Sequence, residues 1–214
     1  MWACDVYIRG NGYTNVSVTI RLARRSDAAE IAAIYAPYCE STPVSFETSA
    51  PSPEEVAARI QHITEHWPWL VLDADSSVAG YAYAARHRER AAYRWAVDTA
   101  VYVHEHYHRR GVGRALYTTL FSLLRAQGYF KACAGITIPN QGSVALHEAV
   151  GFTLVGVYRG IGFKQGSWHD VAWYEAEVQP EASNPPAPKS LDAVIDSPQW
   201  REAVSRGVAH YNER

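Results

Sequence analysis

Polar and apolar residues alternate over residues 16–22, where Val16, Val18, Ile20 and Leu22 point one way and Ser17, Thr19 and Arg21 the other. A period of two predicts a strand with one face on a core. The period then lengthens. Asp27 is placed to cap a helix, with Glu30 three positions on and Ile31, Ile34 and Tyr35 at helical spacing; Pro37 predicts its end. A second helix opens at Ser52-Pro53 with Glu55 completing a capping box before Val56, Ile60 and Ile63, and Pro68 bounds it. Residues 69–72 and 78–84 read as two strands of a hairpin joined by a five-residue polar loop, 73–77. A strand follows at 95–103. Residues 111–127 carry Val112, Leu116, Leu120 and Leu124 on one helical face, and Gly128 stops them. A strand at 131–137, a helix at 143–150 and strands at 152–160 and 170–178 complete the run. The order β-α-α-β-β-β-α-β-α-β-β predicts an α/β fold, a single domain with a mixed central sheet flanked by helices.

The ends of the chain read differently. Residues 1–15 precede the first strand and form an N-terminal extension, the domain itself occupying 16–179. Four prolines at 180, 185, 186 and 188 predict an extended linker, after which Ser197-Pro198 opens a short helix with Trp200, Val204 and Val208 on one face. Residues 180–214 are therefore expected to be an appendage whose helix seeks a surface to dock on.

Composition narrows the function. A net charge of −2 over 214 residues supplies no global field for nucleic acid, so any anion site is local. The three cysteines, Cys4, Cys39 and Cys133, have no metal-like spacing and fit a reducing compartment. With no secretory h-region and no long apolar run, the chain is expected to be cytoplasmic, with neither membrane nor nucleic acid as partner.

The chemistry concentrates after the strand at 95–103. Val101-Tyr102-Val103 leads through a short loop into His108-Arg109-Arg110-Gly111-Val112-Gly113-Arg114 at the mouth of a helix. Glycines there let backbone N–H groups approach a phosphate, and the helix dipole favours the same charge. A tight strand-to-helix turn with a solvated basic flank is the plainer alternative. A Walker lysine and a third dinucleotide-type glycine are both missing, so nucleotide loops of those kinds are excluded.

This strand, loop and helix resemble the coenzyme A pyrophosphate loop of GNAT acetyltransferases. The likeness extends over residues 18–178 and includes Val44-Ser45-Phe46-Glu47, Leu146-His147-Glu148-Ala149-Val150-Gly151-Phe152 and Gly162-Phe163-Lys164 through Trp168-His169-Asp170, the last two of which are similar to signatures of the phosphinothricin acetyltransferase branch. The resemblance implies acetyl transfer from acetyl-CoA, without a metal, to the amine of a small amino acid or analogue, in a homodimer. It places Asp98 as general base and His147 as a second catalytic residue. Val101, Tyr102, Val103, Arg109, Arg110, Gly111, Val112, Gly113, Arg114, Asn140 and Ser143 are implied to bind the cofactor, and Phe46, Arg88, Arg90 and Tyr93 the acceptor. His108 stands where the family has Gln or Arg, and Asp98 where its relatives have Glu, which favours relay through water. For each residue a structural role is the alternative: Asp98 paired to an arginine, His147 a core histidine, the arginines a solvated loop.

Other chemistries fit less well. His104, His106 and His108, or His62 and His66, lack an accompanying carboxylate motif for a metal. Cys133 lies in an apolar strand, a poor setting for a nucleophile. Acetylation of a protein amine and an inactive acyl-CoA sensor remain as competing readings.

Overall fold

The computed structural model describes residues 18–211, so the predicted extension at 1–15 lies outside the described residues. The elements are β1 (Val18–Leu22), α1 (Ala28–Glu40), α2 (Pro53–Thr64), β2 (Trp69–Ala74), β3 (Ser77–Arg86), β4 (Ala96–Val103), α3 (Val112–Gln127), β5 (Lys131–Ile138), α4 (Gln141–Ala149), β6 (Thr153–Lys164), β7 (Ser167–Glu177) and α5 (Pro198–Tyr211). One seven-stranded sheet runs in the order β1-β2-β3-β4-β5-β7-β6. Every neighbouring pair is antiparallel except β4 and β5.

Helices cover both faces, and β2 shows why its sequence is apolar from Trp69 to Leu72. Leu70 and Leu72 join the core formed with α3 and α5, while Trp69 and Val71 join the one formed with α1 and α2. A strand buried on both faces carries no polar alternation. The sequence of α3 has the opposite character: Leu116, Leu120, Leu123 and Leu124 are fully buried in the first core, whereas Arg114 and Arg125 are exposed. At α2 the capping box forms as the spacing predicts, Glu55 N–H donating to Ser52 Oγ at 3.2 Å and Ser52 N–H to Glu55 Oε2 at 2.7 Å.

Local structure departs from expectation in four places. Helix α1 runs through Pro37 to Glu40, with Ser41 N–H closing on the Pro37 carbonyl at 3.0 Å, because a proline near the last turn removes only one hydrogen bond. Asp27 precedes that helix but caps nothing in it; its carboxylate receives Arg24 N–H and the Arg21 guanidinium. The first hairpin closes on two residues, Asp75 and Ser76, both at positive φ (52° and 66°), rather than on a five-residue loop. Strands β6 and β7 are longer than their apolar cores because the hairpin extends to the turn at Gln165-Gly166.

Beyond β7 the chain returns along the domain. The Trp95 indole donates to Pro186 O at 2.8 Å, and Lys189 N–H donates to Gln127 O at 2.7 Å. Helix α5 then packs on α3 and β1, burying Ala203, Val204, Gly207 and Val208. Gly207 is required by the closeness of the two helices: a Cβ there would collide with the Thr119 side chain and come within 2.8 Å of Ala115 O.

Candidate active site

Strands β4 and β5 pair at only three positions, Ala96 with Lys131, Val97 with Ala132 and Asp98 with Cys133. Both continue well past that point, β4 held to β3 as far as Val103 and β5 to β7 as far as Ile138. From Asp98 onward the facing edges of the two strands therefore separate without pairing, among the described residues. A parallel pair opened in this way offers backbone donors and acceptors to an extended ligand bearing amide groups. Val101, Tyr102 and Val103 lie on the open stretch of β4.

The loop after β4 delivers the chain to α3 through two left-handed residues, Arg109 at φ 60° and Gly111 at φ 80°. Gly111 is the N-cap and has no side chain to bond the first-turn amides, leaving the N–H groups of Val112, Gly113 and Arg114 uncapped by a side chain. Arg109, Arg110 and Arg114 are exposed around this end, and Arg110 also lies over the Tyr107 ring at 5.4 Å. Uncapped amides, dipole and three guanidinium groups make an anion cradle. The glycines have a further reason: a Cβ on Gly111 would meet His210 O at 2.7 Å, and one on Gly113 would strike the Leu146 side chain of α4 at 2.6 Å. His108 turns back from the cradle, its Nε2 within 3.0 Å of Val103 O and 3.2 Å of Tyr38 Oη.

Asp98 sits where the strands part. Its Oδ1 lies 2.6 Å from His87 Nδ1, and the two side chains are 36 % and 15 % exposed. Burial raises the Asp98 carboxyl above the ordinary value of 3.8, opposed by the His87 hydrogen bond and by the charges of His87 and Arg88. The sequence suggests an arginine as the plain partner; the bonded partner is a histidine. Cys133 brings its sulfur within 4.8 Å of the donor atoms of His87 and Asp98. Burial, with the charges of Asp98 and Glu175 adding to it, pushes this thiol up to about 11, so it stays protonated near neutrality and is a poor nucleophile.

His147 occupies a different environment from Asp98. It is 4 % exposed, with Nδ1 2.7 Å from Ser143 O and Nε2 2.9 Å from Tyr117 Oη. A carbonyl can only accept, so Nδ1 bears the proton and the Tyr117 hydroxyl donates to Nε2. Burial lowers its pKa below the ordinary 6.5, against the Ser143 hydrogen bond. Both nitrogens being engaged inside the core, this ring holds Tyr117 in place. Asn140 caps α4, its Oδ1 receiving Ser143 N–H at 3.1 Å, which fixes the helix start beside the open strand edges.

The acceptor residues fall in two groups. Phe46 rests on Gly162 of β6, where any Cβ would collide with its ring, and its loop is tied down by buried Lys164, whose Nζ donates to Ser45 O at 2.6 Å and Glu47 O at 2.8 Å. Arg88, Arg90 and Tyr93 line a cavity of about 410 Å³ together with Arg86, Arg94 and Lys189. His87 joins cavity and base, since its ring packs edge to face with Tyr93, the centroids 5.9 Å apart. Sequence reasoning singled out neither His87 nor Tyr117. The signal for His87 was its position two residues past Ala85, the antiparallel partner of Asp98.

The family described as Acetyltransferase (GNAT) domain matches residues 20–173. A phosphinothricin N-acetyltransferase of Streptomyces viridochromogenes is 39 % identical over 171 residues, covering 80 % of this chain and 92 % of that protein. An L-methionine sulfoximine/L-methionine sulfone acetyltransferase of Salmonella typhimurium is 29 % identical over 78 % of this chain and 98 % of its own length. Among solved structures, a GNAT superfamily phosphinothricin acetyltransferase from Sinorhizobium meliloti in complex with AcCoA superposes with a TM-score of 0.75 at 34 % identity, covering 79 % of this chain and 93 % of that one.

Proposed function

Starting from a chain that belongs to the GNAT acetyltransferase family, we propose that it moves the acetyl group of acetyl-CoA onto the amine of a small amino acid or analogue, of the phosphinothricin, methionine sulfoximine or methionine sulfone class. One observation carries the reading. The strands part at Asp98, so the open edge that suits the pantetheine amides leads directly from the carboxylate to the anion cradle at Gly111.

Each group then has a task. Amides 112–114 and Arg109, Arg110 and Arg114 hold the pyrophosphate, and Val101, Tyr102 and Val103 hold the pantetheine arm. A Val103 N–H at the thioester oxygen polarises the carbonyl. Asp98 supplies the basicity needed to deprotonate the acceptor ammonium, which is otherwise the dominant form at neutral pH. His147 and Asn140 act as positioning residues, one through Tyr117 and the other through the start of α4. Arg88 or Arg90 pairs with the acceptor's carboxylate, beside Tyr93, and Phe46 walls the far side. The catalytic unit is residues 16–179, in the cytoplasm.

Release of free coenzyme A over a panel of amines tests the assignment. Turnover is expected with phosphinothricin, methionine sulfoximine and methionine sulfone and not with peptides of the same N-terminal residues. Turnover with peptides alone overturns it.

The same reading includes a homodimer. Leu154, Val155, Tyr158, Ile161 and Phe163 of edge strand β6, with Trp168 of β7, are each more than half exposed, an apolar surface unusual for a monomer. Sedimentation is expected to show a species of about twice the 23.8 kDa chain mass. A lone 23.8 kDa boundary at micromolar concentration rejects the dimer.

A further inference from the structure

We propose that the atom receiving the acceptor's proton is Nε2 of His87, with Asp98 acting behind it, so that the base of this enzyme is a histidine–aspartate dyad. This rests on the acetyltransferase reading and refines it. His87 lies just beyond the end of β3, whose antiparallel register sets Ala85 opposite Asp98 and Arg86 opposite Val97. The chain turns there, and the imidazole folds back beside the carboxylate with Nδ1 at 2.6 Å from Oδ1.

The direction of that hydrogen bond follows from chemistry. An ionised carboxylate only accepts, so Nδ1 carries the hydrogen and Nε2 is left with its lone pair. Among the described residues no hydrogen bond to Nε2 is formed. The contrast with His147 is direct, because there both nitrogens are committed to Tyr117 and Ser143. The ring also carries basicity across its own width, away from the short Asp98 side chain, and it packs edge to face with Tyr93, which lines the Arg88 and Arg90 cavity. The pair is surrounded by Arg88, Tyr83, Tyr93 and Cys133, with Lys131 and Glu175 acting from the far side of Cys133. Arg88 favours the Asp98 carboxylate, and that carboxylate in turn offsets the charge an imidazolium would place beside Arg88.

The step balances without another reagent. The acceptor ammonium gives one proton to Nε2, and the freed lone pair forms the C–N bond as the carbonyl π pair moves to oxygen. Collapse of that oxyanion breaks the C–S bond, the electron pair leaving on sulfur. The second nitrogen proton reaches the thiolate, and the imidazolium returns the first to water. Amide, thiol and one proton result.

Profiles of kcat against pH for the wild type, His87→Gln, Asp98→Asn and the double variant test the dyad, with acetyl-CoA affinity by calorimetry as the check on folding. His87→Gln is expected to lose about 100- to 1000-fold in kcat at neutral pH with unchanged acetyl-CoA affinity. That deficit should shrink as pH rises toward the acceptor's own ammonium range, since a free amine needs no base, and the double variant should be no worse than either single one. If His87→Gln stays within about threefold of wild type at every pH while Asp98→Asn is crippled, the aspartate works alone and the dyad is wrong. If neither variant is impaired, the placement of the base at Asp98 fails as well. Should His87→Gln not bind acetyl-CoA, nitrogen-15 shifts of the wild type decide: a protonated Nδ1 with bare Nε2 supports the dyad, and the opposite tautomer overturns it.

Discussion

Replacing Asp98 by Asn is expected to lower kcat by about 1000-fold while acetyl-CoA binds as before and the melting temperature does not fall. The three outcomes have one cause. Asp98 lies where β4 leaves β5, short of the stretch from Val101 to Arg114 proposed to hold the cofactor, so losing its charge leaves those amides untouched. Its raised pKa means that the folded chain holds the carboxyl proton more tightly than the unfolded chain does. Stability from this group is thus greatest at low pH and declines as pH rises through the raised value, so at neutrality the half-buried charge costs stability. An amide avoids that cost while keeping an acceptor oxygen for His87. Activity runs the other way: the charge is required, and turnover should fade as pH drops into the same range. Thermal melts beside steady-state kinetics distinguish the roles, because a structural aspartate would lose melting temperature and kcat together.

Truncation after Val178 is expected to lower the melting temperature by about 10–20 °C or to abolish folding. The lost segment buries Leu191, Val194, Ala203, Val204 and Val208 to 4 % exposure or less. At about 1.5–3 kcal/mol for each fully buried larger side chain, even partial compensation leaves a loss of several kcal/mol. Removal also uncovers the face of α3 that holds Thr119, whose hydroxyl bonds both Ala115 O and Ala203 O. Differential scanning calorimetry of the two chains measures the difference, and superimposable traces would mean that α5 contributes nothing to the core.

The order of elements was legible because each long segment keeps one period: the leucines of α3 and the capping box at Ser52 leave little choice. Turns were less so. Asp75 and Ser76 take positive φ with no glycine to announce it, so the first hairpin looks longer-looped than it is. The cradle and Asp98 were visible as local strings and through family resemblance. The partners of Asp98 and His147 were not, because His87 and Tyr117 reach them through strand register and helix packing at separations of 11 and 30 residues. Gly111 and Gly113 illustrate the same limit. Their spacing suggests room for phosphate, yet each also faces a neighbouring helix that the sequence alone does not put there.

The contact at Gly111 ties the two ends of the molecule's chemistry together. The carbonyl of His210, near the end of α5, rests against Gly111, the residue that opens the proposed cofactor loop. An element that touches a binding loop shares its energetics in both directions: whatever steadies Gly111 in its left-handed conformation also steadies the tail, and a loosened tail alters the loop by the same free energy. With the loop at Gly111 holding the acyl donor as proposed, helix α5 would share in that affinity, although it carries none of the groups proposed to hold the phosphates. Sequence drift along its buried face would then retune cofactor retention without touching a single residue of the proposed cleft.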